Sequence, residues 1–203
     1  YHDQQTFNAA EMIVPSPGIP LTSKYIRTAI DNGVPITGEL DIFASHNDLP
    51  VVAITGTNGK TTTTTLIGDL LAACGKNPFV GGNIGTPLVD LLMSDQKFDI
   101  VVAEISSFQL DLSQNFRPDI GVLLNITEDH LDRYDSFKSY IDSKWKLFSK
   151  QGKSDTAIIN METCDFQSRS AGLASTVYSF SSNACSDKVP DAHILSDEID
   201  IKL

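Results

Sequence analysis

The residues whose types and spacing can do chemistry gather first at Gly56-Thr57-Asn58-Gly59-Lys60-Thr61-Thr62. Two glycines let a backbone turn sharply and come close to a ligand. Amides of such a loop, and of a helix opening behind it, point at one place and suit an anion. Lys60 adds a mobile positive charge, and Thr61 a hydroxyl where a phosphate-bound Mg²⁺ would sit. The pattern is a shorter form of G-x-x-x-x-G-K-[ST], because Ile54 stands where that pattern begins with glycine. Its flanks supply the context the chemistry needs. Val51 to Ile54 is an apolar, β-branched run that reads as a buried parallel strand, and a helix follows the loop. An ordinary strand–turn–helix with a chance lysine is the bland alternative, and phosphate binding is the reading preferred here.

Polar residues then recur where further apolar runs stop. Asp99 to Ala103 ends at Glu104, and Asp119 to Leu124 ends at Asn125-Ile126-Thr127-Glu128-Asp129-His130. In a parallel sheet these ends share an edge with the phosphate loop. A carboxylate at Glu104 can hold Mg²⁺, directly or through water, or be a plain strand-end acid. Imidazole is an unusual ligand for Mg²⁺, so chemistry alone favours a capping or hydrogen-bonding role for His130, beside Asp129 or Asp132.

The elements that position these groups alternate. Pro78 to Val80, Thr156 to Asn160 and Thr176 to Phe180 read as further strands. Pro87 to Met93 and Ser136 to Ser149 read as helices, the second with Phe137, Tyr140, Ile141 and Lys144 on neighbouring turns. This predicts an α/β fold, a doubly wound and mostly parallel sheet. Ahead of it, Glu11 to Val14 and Pro35 to Gly38 read as strands, with a helix between them capped at Thr22 or Ser23 and another over Glu39 to Ala44. One βαβ unit is too little for an independent core, so residues 1–47 are expected to close a preceding domain and residues 48–203 to form a central one. Ser16-Pro17-Gly18 reads as a rigid turn.

The chain has 203 residues, is 41% hydrophobic and 20% charged, and carries a formal charge of −11. That balance disfavours a general nucleic-acid role, since phosphate backbones need a basic face. There is no apolar run of spanning length and no signal-peptide pattern. Cys74, Cys164 and Cys185 fit neither a disulfide framework nor a metal or redox pair. A cytoplasmic protein, monomeric and away from membranes, is expected.

With these residues assembled, the chain resembles the Mur ligases, ATP-dependent amide-forming enzymes of peptidoglycan synthesis. The phosphate loop is shared with folylpolyglutamate and cyanophycin synthetases. Ser16-Pro17-Gly18-Ile19, Gly81-Gly82-Asn83-Ile84-Gly85, Glu104-Ile105-Ser106-Ser107-Phe108-Gln109-Leu110 and the run from Asn125 to Tyr134 are most similar to the D-glutamate-adding branch. The resemblance implies ATP held by Gly56, Thr57, Asn58, Gly59, Lys60, Thr61 and Thr62, with Lys60 on the β- and γ-phosphates. It implies two Mg²⁺ ions, the first on Thr61 and Glu104, the second on His130 and a carbamylated Lys144, with Lys146 a competing alignment. Lys60, His130 and Lys144 are the implied catalytic groups. Gly18 and Asn83 are the implied contacts of UDP-N-acetylmuramoyl-L-alanine, with Ser106 and Gln109 near it, and D-glutamate is the second substrate. The D-glutamate-binding C-terminal domain is expected outside these 203 residues, so the chain alone is expected to be inactive. Another amide ligase of the superfamily, or a nucleotide-binding regulator without ligation, remain open alternatives.

Overall fold

A computed structural model describes residues 3–129, 133–181, 191–195 and 198–201. The chain opens with α1 (Gln4–Asn8), capped by the Asp3 carboxylate, which accepts from the amides of Gln5 and Thr6. Then come α2 (Lys24–Asp31) and α3 (Glu39–His46). The two strands expected before residue 39 shrink to one parallel bridge, Ile13 with Ile36. The Ile13 amide donates to Pro35 O at 2.9 Å and the Thr37 amide to Ile13 O at 3.1 Å. Pro15, Pro17 and Pro35 offer no N–H, so the ladder has nothing to continue with.

The central part follows the expected alternation: β1 (Val51–Thr55), α4 (Lys60–Ala73), β2 (Pro78–Gly82), α5 (Leu88–Leu92), β3 (Ile100–Glu104), α6 (Ser107–Leu112), β4 (Ile120–Leu123), α7 (Phe137–Trp145), β5 (Thr156–Asn160), α8 (Phe166–Ser170), β6 (Thr176–Ser181), β7 (Ala192–Leu195) and β8 (Glu198–Ile201). A 3₁₀ turn, Lys146–Phe148, ends α7. The strands form one sheet in the order β2-β3-β1-β4-β5-β6-β7-β8. All neighbours run parallel except β7 and β8. Helices α6 and α8 and the last two strands were not anticipated.

Alternation along β1 divides the core. Val51 and Ala53 face a large cluster with Leu40 and Phe43 of α3, Leu88 and Leu91 of α5, Leu110 of α6, and Tyr140, Ile141 and Trp145 of α7. Val52 and Ile54 face a smaller cluster with Val102, Val122 and the α4 side chains Ile67 and Leu71. Helix α3, although it precedes the central sheet in sequence, is packed into the sheet's main core. The connection from β1 leads to the edge strand β2, returns to β3, then crosses to β4 on the other side of β1. This reversal opens a crevice at the carboxyl ends of β3, β1 and β4, the place where open α/β sheets bind ligands. Among the described residues no helix is long and apolar enough to cross a membrane.

Candidate functional site

Close backbone packing sets the phosphate loop. A Cβ on Gly56 would lie 3.1 Å from Leu124 Cβ, so the loop leaves β1 pressed against the exit of β4. Gly59 sits at φ +80°, a left-handed conformation that glycine adopts without strain. It precedes α4 with no side-chain cap, so the first-turn amides of that helix stay available to an anion. The segment after β4 pins the loop from outside. The Asn125 side chain accepts from the Asn58 amide at 2.9 Å and donates to Asn58 O at 3.0 Å. Thr57 Oγ1 donates to Thr127 O at 3.2 Å and accepts from the Thr127 amide at 3.1 Å. Sequence reading placed Asn125 and Thr127 at a strand end; their observed work is to hold the loop.

Two amines converge on one carbonyl. Lys60 Nζ donates to Gly56 O at 3.0 Å and Thr57 O at 3.1 Å, and Lys144 Nζ donates to Gly56 O at 2.8 Å. Lys144 is 2% exposed, and its Nζ lies 4.6 Å from the Tyr140 ring centroid. Burial lowers its pKa from 10.5 to about 7; the Lys60 charge pushes the same way and Asp129 opposes. Lys146 instead points outward and pairs with Asp111 at 2.6 Å. Tyr140, read from the sequence only as a helix-face residue, touches both Lys144 and the loop, its hydroxyl 3.2 Å from Thr57 Oγ1. Burial pushes that hydroxyl's pKa up.

Glu104 ends β3 at 2% exposure, with both carboxylate oxygens engaged. Thr61 Oγ1 donates to Oε2 at 2.8 Å, and Asn83 Nδ2 donates to Oε1 at 2.9 Å. The glycine-rich turn after β2 is drawn against the same residue. The Asn83 amide donates to Glu104 O at 2.8 Å, and a Cβ on Gly82 would stand 2.4 Å from that oxygen. The phosphate loop and the Asn83 turn thus meet on one carboxylate. Ser106 and Gln109 are spent largely on each other: the Ser106 amide donates to Gln109 Oε1 at 2.9 Å, and the Gln109 amide to Ser106 Oγ at 3.3 Å. This reciprocal cap starts α6. Gly18 lies in a turn closed by Ile19 N to Ser16 O at 2.8 Å, and its carbonyl accepts from Arg133 Nη1 at 2.7 Å. His130 lies outside the described residues.

Among the described residues, no three of the His, Cys, Asp and Glu side chains are grouped to hold a metal. The oxygen donors brought together are Thr61 and Glu104, a hard pair of the kind Mg²⁺ takes. A cavity of about 760 Å³ lined by Ile42, His46, Leu49, Leu91 and Phe98 opens near the amino ends of β1 and β3. It lies away from every group discussed here.

Residues 54–202 match the family described as the Mur ligase middle domain. The chain is 47% identical over 180 residues to the UDP-N-acetylmuramoylalanine–D-glutamate ligase of Geobacter metallireducens, covering 89% of this chain and 40% of that protein. It is 50% identical over 161 residues to the ligase of the same name from Citrifermentans bemidjiense, covering 79% of this chain and 36% of that one. It therefore spans about two fifths of the length of these relatives. Among solved structures it resembles a UDP-N-acetylmuramoyl-L-alanyl-D-glutamate–2,6-diaminopimelate ligase, with TM-score 0.59, 19% identity, and 90% of this chain and 47% of that one covered. It also resembles the MurF ligase from Thermotoga maritima in complex with ADP, with TM-score 0.57, 19% identity, and 92% and 52% covered. These two likenesses concern the fold.

Proposed function

The chain belongs to the Mur ligase family, and from that premise we propose that the full-length protein joins D-glutamate to UDP-N-acetylmuramoyl-L-alanine, at the expense of ATP, in the cytoplasmic steps of peptidoglycan synthesis. Residues 1–47 then close the UDP-substrate domain, residues 48–203 belong to the central ATP-binding domain, and D-glutamate is taken by a domain outside these residues. The protein acts as a monomer. The observation that carries the reading is the line Thr61–Glu104–Asn83, which ties the phosphate loop to the turn expected to meet the UDP-linked substrate.

The substrate carboxylate attacks the γ-phosphate of ATP, giving an acyl phosphate and ADP. The D-glutamate amine then attacks the acyl carbon and phosphate leaves. Bringing two anions together is the difficult part, and this chain supplies positive partners for it. Loop amides and the α4 amino terminus receive the phosphates. Lys60, which otherwise donates to two loop carbonyls, would take the β- and γ-phosphates. Thr61 and Glu104 would hold one Mg²⁺; His130 and Lys144 would hold a second. When bound, these ions neutralise charge on the phosphates and the attacking carboxylate. An ammonium cannot ligate a cation, but a carbamate presents two oxygens. The Lys144 amine forms one by adding carbon dioxide and releasing a proton, and its buried position beside the loop supports that reading. Gly18 and Asn83 contact the UDP-linked substrate, with Ser106 and Gln109 near it at the start of α6.

In the full-length protein, release of ADP and phosphate should require the UDP-linked substrate and D-glutamate together, and Lys60→Ala should abolish it. Release with another amino acid in place of D-glutamate would move the protein to a different branch of the family. Near-normal turnover by Lys60→Ala would sink the assignment of the loop.

A further inference from the structure

We propose that Arg133 is a positioning residue: it holds the Ser16–Pro17–Gly18 turn in register with the phosphate loop, through an aromatic stack that ends at Lys144. The inference rests on the reading of Gly18 as a contact of the UDP-linked substrate. Arg133 Nη1 donates to Gly18 O at 2.7 Å, across 115 residues of sequence. The bond ties the Gly18 turn to the segment between β4 and α7. The same guanidinium lies 4.8 Å from the Phe108 ring centroid. Phe108 stacks on Tyr134, with centroids 5.8 Å apart and planes 9° from parallel.

The stack is anchored at its far side. Tyr134 donates its hydroxyl to Asp111 Oδ2 at 2.7 Å, and the same hydroxyl is 3.2 Å from Ser143 Oγ. Ser143 in turn donates to Ser107 O at 2.8 Å. The Tyr134 ring meets Tyr140 at 5.2 Å between centroids, and Tyr140 touches Thr57 and Lys144. A continuous line of contacts therefore runs from the Gly18 turn to the phosphate loop.

Around Arg133 the two parts border a cleft of about 290 Å³ whose walls mix Ile19, Leu21 and Phe108 with Thr22, Asp111 and Asp135. The apolar part of these walls brings surfaces together but does not choose a register, because the hydrophobic effect has no direction. A planar guanidinium that both stacks and donates does have direction. Register matters here, since a misplacement of about 1 Å at a remote contact can cost on the order of a hundredfold in rate.

The test uses the full-length protein with Arg133→Ala and Arg133→Lys. Arg133→Ala should raise KM for the UDP-linked substrate about tenfold, the size of one lost hydrogen bond to a charged group. KM for ATP should stay within about twofold, because the loop itself is untouched. Arg133→Lys keeps a charged donor without the planar face and should recover part of the loss. By hydrogen exchange, residues 13–37 should exchange faster in Arg133→Ala while β1 is unchanged. An unaltered KM for the UDP-linked substrate, or an equal rise in both KM values, would overturn the proposal. A wild-type protein without ligase activity would overturn the functional reading instead. The exchange measurement would then decide the latch alone: faster exchange supports it and unchanged exchange refutes it.

Discussion

At the scale of single residues, Lys144 is the most consequential group. Its amine is buried beside a second lysine, and both reach for Gly56 O. The folded-state pKa of about 7 lies below the ordinary 10.5, so between these values the unfolded chain binds more protons than the folded one. Stability should then rise with pH across that window. In buffer free of carbon dioxide, the melting temperature of the wild type should climb from pH 7 toward pH 10 relative to Lys144→Met, whose buried thioether does not titrate. A constant difference between the two would show that the amine is not desolvated as described. The sequence left Lys144 and Lys146 as rival alignments. They are two positions apart and so project from different sides of α7. Only tertiary packing separates them, one against the loop and the other toward Asp111.

At the scale of elements, close approach rather than propensity decides. Gly68 lies buried within α4, where a Cβ would stand 2.5 Å from Val80 Cγ2 of β2. Alanine in a helix interior is ordinarily better than glycine by roughly 0.5–1 kcal/mol. Here the overpacking cost of about 1–3 kcal/mol should outweigh that gain. Gly68→Ala is expected to be destabilising in urea unfolding, with Val80→Ala recovering part of the loss in the double variant. A stabilised Gly68→Ala would mean that α4 and β2 are not in contact as described. Gly82→Ala should be worse, because φ is +107° and its Cβ would meet Glu104 O. It should cost about 2 kcal/mol or more and also disturb the Asn83–Glu104 bond. Most elements were legible because buried strands are short β-branched runs, and β1, β3 and β4 fall within a residue or two of where they were expected. The strands at 11–14 and 35–38 were over-read, since their apolar pattern says nothing about a ladder that prolines interrupt. Helix α6 was missed because Ser106 and Gln109 were weighed for chemistry, while their i, i+3 spacing is also that of a capping box.

At the scale of the whole molecule, the strand order decides which loops meet, and order is not written in local pattern. Nothing in the run from Val51 to Thr55 reveals that it lies between β3 and β4, yet that placement brings Glu104 and Asn125 to the same loop. The site could be guessed only as strand ends sharing an edge. Charge is a property of the whole chain that the sequence does show: the molecule carries −11, yet the phosphate loop carries the Lys60 amine. Beyond a Debye length of roughly 8–10 Å the local lysines are screened and the encounter is governed by the summed charge. An anionic nucleotide is therefore repelled until it is nearly docked. Raising the ionic strength from roughly 0.05 to 0.3 M should speed association of Mg–ATP with this chain by about twofold in stopped-flow measurements, the reverse of the salt response of a nucleic-acid-binding protein. The dissociation rate should change less, because the phosphates would then be held at contact distance by the loop amides and Lys60, where screening by salt is weak. A clear fall in the association rate with salt would mean that the local charge of the loop, rather than the acidic body, sets the field the nucleotide meets.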